Sequence, residues 1–196
     1  MEILNTAQNI INRILNTELS DYTSTLHKNL NDALIQLVFK LKTDSLTGAY
    51  NRGFLEELLN ELIQNKTPVV VIFIDLDDFK KVNEIFGHQI GDKGLKLVGS
   101  IINKYKPANS FFARYGGDEF VLLADSLNNY ELNESISKMK HELKEKSDLL
   151  NFNLTVTVAV TNLNNIYSVE KLYEKLSLLI RKQKNTKKDE IISDIL

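Results

Sequence analysis

The chain has 196 residues, 43% of them hydrophobic, and a formal net charge of -2, which suits one domain of ordinary size plus an appendage, with a real core. The lack of cysteine excludes disulfides and thiolate metal centres, and the near-neutral charge argues against a nucleic-acid groove. The longest apolar run, Val69 to Ile74, is far too short to span a membrane.

From Met1 to Lys42 there is no Gly or Pro, and Leu26, Leu30, Leu34, Leu37 and Leu41 recur at three- and four-residue steps, which predicts helix. Such a stripe can pack on its own domain, join a helical bundle or seam with a second chain. It is too short and irregular for a regular coiled coil. Thr43-Asp44 reads as a hinge, dividing the chain into an N-terminal helical segment, 1–42, and a second unit, 43–196. Asn51 to Gln64 predicts an amphipathic helix, Pro68 to Asp75 a strand, and Phe79 to Phe86 a short helix. Gly87 and Gly91 are expected to break the chain before a helix that runs to about Lys106. A β-hairpin is expected around Gly116-Gly117, between Phe111-Phe112-Ala113 and Phe120-Val121-Leu122-Leu123, because glycine enters positive φ without steric cost. A helix over Glu131 to Lys146, an alternating strand over Asn153 to Val160 and a final helix over Val169 to Lys184 complete the order. Strands and helices interleaved around an antiparallel hairpin make the class mixed α/β.

Carboxylates gather at two strand ends. In Val69-Val70-Val71-Ile72-Phe73-Ile74-Asp75-Leu76-Asp77-Asp78 a strand buried on both faces runs into acids as it leaves the sheet, where α/β architectures place ligand groups. Asp118-Glu119 follow the Gly-Gly corner of the hairpin. Hard oxygen ligands converging from two strand ends suit Mg²⁺, which takes one or two carboxylates and completes its shell with phosphate oxygens and water. Asp75 ends a buried run and needs a partner, for which a cation is the simplest. Asp77 and Asp78 read equally as helix N-caps, the role favoured for Asp77. The cations Arg181, Lys182, Lys184, Lys187 and Lys188 near the end read as a solvated helix face, a few of which could turn inward to a triphosphate.

Four motifs in order resemble the GGDEF family of diguanylate cyclases. Gly116-Gly117-Asp118-Glu119-Phe120 is the signature itself. Asp44-Ser45-Leu46-Thr47 with Asn51-Arg52 precedes it, followed by Asp75-Leu76-Asp77-Asp78-Phe79-Lys80-Lys81-Val82-Asn83 and Phe86-Gly87-His88-Gln89-Ile90-Gly91-Asp92. The resemblance covers about Thr43 to Lys188. It implies a palm-like nucleotidyl cyclase fold, a central mixed sheet flanked by helices, here with an N-terminal helical extension. The activity it implies is condensation of two GTP into cyclic di-GMP with release of pyrophosphate, in a homodimer of half-sites whose upstream signalling partner is unknown. No nucleic acid, membrane span or export signal is implied, so a cytoplasmic location is expected.

By the same resemblance Asp75, Asp118 and the backbone carbonyl of Leu76 bind Mg²⁺, with Mn²⁺ as a substitute, at two ions per half-site. Asp118 is also the proton acceptor, Glu119 a supporting carboxylate, and Lys80 either stabilises phosphate charge or is a solvated lysine. Asp78, Phe79, Asn83, His88, Asp92 and Lys182 fall at substrate-binding positions. His88 reads equally as a capping or core histidine. Guanine presents two donors on one edge, so Asp92 is the natural reader, and its presence favours GTP over ATP. The chain also departs from the family pattern. Pro107-Ala108-Asn109-Ser110 replaces the Arg-x-x-Asp product-binding pair, and Ala159 stands where a strand-end glycine is expected. After Arg181-Lys182 the glycine and arginine positions read Asn185 and Thr186, with Lys187 or Lys188 as replacement cations. The eroded C-terminal motif favours the rival expectation, a catalytically weak or inactive GGDEF module that binds GTP or a protein partner, whereas the intact Asp75, Asp118, Glu119, Lys80, Asn83 and Asp92 favour the enzyme.

Overall fold

The structure is a computed structural model that describes residues 2–15, 25–125, 129–148, 152–186 and 191–193. Its elements run α1 (Glu2–Leu15), α2 (Thr25–Lys42), α3 (Arg52–Gln64), β1 (Val70–Leu76), α4 (Phe79–Phe86), α5 (His88–Tyr105), β2 (Phe111–Arg114), β3 (Glu119–Ala124), α6 (Asn129–Asp148), β4 (Val156–Asn162), α7 (Val169–Thr186) and β5 (Ile191–Ser193). The five strands form one mixed sheet in the order β2-β3-β1-β4-β5, antiparallel except for the β4–β5 pair. Helices cover both faces.

Period-2 alternation explains why the central strand is apolar throughout. Ile72, Ile74 and Leu76 of β1 face a core shared with Val98, Ile101 and Ile102 of α5 and Ile136, Met139 and Leu143 of α6. Val71 and Phe73 face the other way, into a second core with Leu55, Leu58, Leu59 and Leu62 of α3 and Leu172 and Leu176 of α7. β4, expected as an alternating strand, has no solvent-facing side. Its threonines turn to a covered face, where Thr157 and Thr161 are buried. The short β5 does not figure among the expected elements.

The N-terminal segment is two helices. Ile3, Ala7 and Ile10 of α1 join the second core, and Arg13 pairs with Glu61 of α3 at 2.8 Å. On α2, Val38 is buried, while Leu37 and Leu41 are 52% and 66% exposed. The side chains of Leu26 and Leu30 lie outside the described residues. Asn51 ends the segment that follows by capping α3, its side chain accepting from the Phe54 N–H at 3.0 Å.

Two glycine expectations need correction. Gly91 does not break the chain; it is buried within α5, whose start is set by Gly87 at φ 81°. The hairpin corner does not use positive φ either, since Gly48 and Gly87 are the glycines that adopt it among the described residues. A Cβ on Gly116 would meet Glu119 Oε2 at 2.9 Å, so that position makes room for a carboxylate.

Candidate active site

The register of β1 against β3 sets Asp75 opposite Glu119, and the Leu76 N–H donates to the Asp118 carbonyl at 3.2 Å. Three carboxylates, those of Asp75, Asp118 and Glu119, thereby meet along one end of the sheet. Burial raises the pKa of Asp75; the ammonium of Lys184 opposes that, and Asp118 and Asp77 add to it. Glu119 is raised for the same reasons, burial first and then the charges of Asp75 and Asp118. Both groups are short of positive charge. Lys184 of α7 supplies part of it, contacting Asp75 directly and lying 3.7 Å from Asp77.

Asp77 is not a helix cap. It is 4% exposed and accepts from the Thr155 and Thr157 hydroxyls at 2.8 and 2.7 Å, tying the end of β1 to β4. Asp78 occupies the N-cap position of α4 in the left-handed region, φ 53°, without a side-chain capping bond, and pairs with Lys81 at 3.0 Å. Leu76 sends its side chain into the core between these acids.

A cleft lies on each side of the carboxylates. One, of about 310 Å³, is lined by Lys80, Asn83, His88, Asp92, Arg114 and Asp118, with Phe79 and Leu95 at its base. Asn83 comes from α4, while His88 and Asp92 come from the first turns of α5. Lys80 stands on the rim, with Glu84 at 3.6 Å. His88 is exposed, which removes the core-histidine reading. The other cleft, of about 360 Å³, is lined by Phe73, Asp75, Glu119, Ser177, Arg181 and Lys184.

Lys182 is exposed and lines neither cleft; the inward lysine of α7 is Lys184. With Lys184 as the reference, the motif's next two positions move to Lys187 and Lys188, outside the described residues. Arg114 is a second residue that the sequence reading left without a role. Its guanidinium donates to both Asp44 oxygens at 3.1 and 3.2 Å and to the Gly117 carbonyl at 2.6 Å, bracing the signature turn against the Asp44 turn. Its place two residues before the signature was the available signal. Hydrogen bonds from Thr47 and Arg114 outweigh burial at Asp44 and hold its carboxyl below the usual range.

The donor set fits a hard divalent cation. Its donors are all oxygens, and two of its carboxylates are destabilised by burial and by each other, which a cation would reverse. Among the described residues no group of three acid or histidine side chains is already drawn together around a metal position, and the Lys184 ammonium sits against Asp75.

Known proteins share both the sequence and the architecture. PleD, a response regulator of Caulobacter vibrioides, is 34% identical over 151 residues, 71% of this chain and 32% of that protein. The diguanylate cyclase DgcP of Escherichia coli is 36% identical over 125 residues, 62% of this chain and 36% of DgcP. NbdA of Pseudomonas aeruginosa, a cyclic di-GMP phosphodiesterase, is 33% identical over 142 residues, 70% of this chain and 18% of NbdA. The chain thus spans between 18% and 36% of the length of these relatives. Among solved structures, the coiled coil and GGDEF domain of Caulobacter crescentus DgcB, in complex with c-di-GMP, aligns with a TM-score of 0.68 at 20% identity, covering 85% of this chain and 92% of that one. Diguanylate cyclase SiaD of P. aeruginosa, with its activator SiaC, aligns at 0.71 and 20% identity, covering 98% of this chain and 72% of SiaD. The sequence profile described as diguanylate cyclase, GGDEF domain, matches residues 41–190, so the chain belongs to the GGDEF domain family of diguanylate cyclases.

Proposed function

We propose that this chain is a Mg²⁺-dependent diguanylate cyclase that condenses two GTP into cyclic di-GMP and releases pyrophosphate. The observation that carries this reading is the placement of the carboxylates between two clefts. Asp118 borders the cleft with Asn83, His88 and Asp92, and Asp75 and Glu119 border the cleft with Arg181 and Lys184. A purine nucleoside in the first and its phosphates toward the second would lay the α-phosphorus along the acidic ridge. Asp92 then accepts from the guanine N1 and N2 donors, and the Asn83 amide contacts the same base. Phe79 forms the floor, and Lys80 and Lys184 offer ammonium groups to phosphate oxygens, while Asp78 at the β1–α4 corner pairs with Lys81 and lines neither cleft.

The 3′-oxygen of one nucleotide bonds to the α-phosphorus of the other, the bond to pyrophosphate breaks, and Asp118 takes the hydroxyl proton. Two such steps close the ring. Mg²⁺ held by Asp75, Asp118 and the Leu76 carbonyl, two ions per half-site with Mn²⁺ as a substitute, would lower the hydroxyl pKa and neutralise phosphate charge. Each protomer holds one nucleotide, so the productive assembly is a homodimer with its half-sites face to face. The exposed Leu37 and Leu41 of α2 supply a seam for it, outside the unit that begins at residue 43.

A second reading, a GGDEF module that binds nucleotide or a protein without turnover, draws support from the Lys184–Asp75 contact and from the phosphodiesterases among the relatives. Incubating the purified chain with GTP and Mg²⁺ and separating the products by chromatography distinguishes the two. Cyclic di-GMP and pyrophosphate support the enzyme, and intact GTP bound to protein supports the module.

A further inference from the structure

Asn83 lines the cleft with His88 and Asp92, yet its amide makes no hydrogen bond to another described residue. Packing alone must therefore hold it in place. The packing partner is Gly91, one turn into α5 and buried beneath α4. A Cβ built on Gly91 would stand 1.9 Å from Asn83 Oδ1, 3.0 Å from its Cγ and 3.3 Å from Phe79 Cζ. The bare α-carbon is the seat on which the amide rests.

Alanine is the better helix former, so glycine at this position costs the helix about 1 kcal/mol of intrinsic propensity. Any methyl there would have to displace something. Phe79 is buried in the core and, at 3.3 Å, would need to give only a few tenths of an ångström. The Asn83 amide is the free end of a flexible side chain at the open cleft and yields first. An alanine at 91 would thus leave the fold in place and drive the amide out of position.

Resting on the reading of this cleft as a guanine-nucleotide site, we propose that Gly91 is a positioning residue for base recognition, acting through Asn83 by withholding a side chain. It touches no substrate itself. Its effect is specific to the nucleotide whose base Asn83 contacts.

The test is equilibrium binding of GTP and ATP to the whole chain and to the Gly91→Ala, Asn83→Ala and doubly substituted variants, with a thermal melt of each. Gly91→Ala and Asn83→Ala are each expected to weaken GTP about tenfold, the equivalent of one hydrogen bond of about 1.4 kcal/mol, and to leave ATP unchanged. The double variant should bind GTP no worse than Asn83→Ala, and should melt above it, because the alanine then gains helix propensity without a clash. Losses that multiply in the double variant, wild-type GTP affinity in Gly91→Ala, or a melting temperature for Gly91→Ala several degrees low would each overturn the proposal. Normal GTP binding by Asn83→Ala beside weak binding by Gly91→Ala would overturn it while leaving the nucleotide reading intact. A wild-type chain that binds no GTP would remove both.

Discussion

Arg114 grips Asp44 through both carboxylate oxygens while its other nitrogens hold the backbone of the signature turn, so one guanidinium joins two turns that lie 70 residues apart in sequence. Tyr50 runs alongside, its N–H donating to the Phe112 carbonyl at 3.0 Å and its carbonyl accepting from the Arg114 N–H at 2.8 Å. The segment that leaves α2 is thus stitched to β2, the strand that leads into the turn carrying Asp118.

Cutting that brace should loosen the turn without unfolding the sheet. Arg114→Met removes the guanidinium and keeps most of its apolar stem, and a part-buried charged hydrogen bond contributes roughly 1.5–3 kcal/mol. We predict a stability loss within that range by chemical denaturation, and cyclase turnover reduced further than stability alone explains. A variant with wild-type turnover would show that the brace has no bearing on the site.

The carboxylates proposed to hold the metal give the most severe prediction. If Asp75 and Asp118 hold the metal as proposed, Asp75→Asn and Asp118→Asn each remove a charged oxygen ligand, and because a metal contributes several kcal/mol to the transition state, product formation should fall by more than about a hundredfold. Both proteins should remain folded by circular dichroism. Near-normal turnover in either one would rule out the assigned role.

Asp92 tests base choice. If Asp92 reads the guanine edge as proposed, Asp92→Ala costs guanine two charge-assisted hydrogen bonds and should weaken GTP by roughly 1.5–3 kcal/mol while leaving ATP nearly unchanged. Equal losses for both nucleotides would make Asp92 a support of the fold.

The α2 stripe tests assembly. Leu34→Asp with Leu37→Asp should lower turnover per chain and raise the protein concentration at which it saturates, while GTP binding to the single chain persists. Turnover independent of dilution down to a monomer by light scattering would contradict a dimer of half-sites.

Glu142 predicts acid sensitivity away from the site. Lys104 of α5 and Lys146 of α6 each lie 2.6 Å from it, and their hydrogen bonds lower its pKa to about 2. A depressed carboxylate stabilises the fold fully above its ordinary value near 4.5 and loses that contribution as pH falls toward 2. The melting temperature of Glu142→Gln should therefore lie below wild type near neutrality and converge with it between about pH 4.5 and pH 2. A constant gap across that range would remove the titration from the account.

Much of this was legible in the sequence because local pattern and structure agree. The helix over Phe79–Phe86 and the acidic end of β1 follow from apolar spacing and from the sudden change to carboxylates. The errors arise where a side chain answers to something distant. Asp77 satisfies two threonines on β4, which no local window contains. Lys182 and Lys184 stand about 200° apart around α7, so a two-residue shift of register reverses which one faces the acids. Gly91 looks like a helix breaker beside Gly87 until the Asn83 side chain beneath it is seen. The three-residue β5 is too short for periodicity to announce it.

The packing of α1 has a practical consequence for fragments. The family profile begins at residue 41, which invites a shortened protein starting near Thr43. Such a fragment would lose Ile3, Ala7 and Ile10 from the core shared with Leu58 and Leu62, and would expose a greasy strip along α3 to water. Contiguous exposed apolar surface promotes self-association. A truncated preparation should therefore elute early on size exclusion through adhesion at α3, and that oligomer would have nothing to do with catalysis.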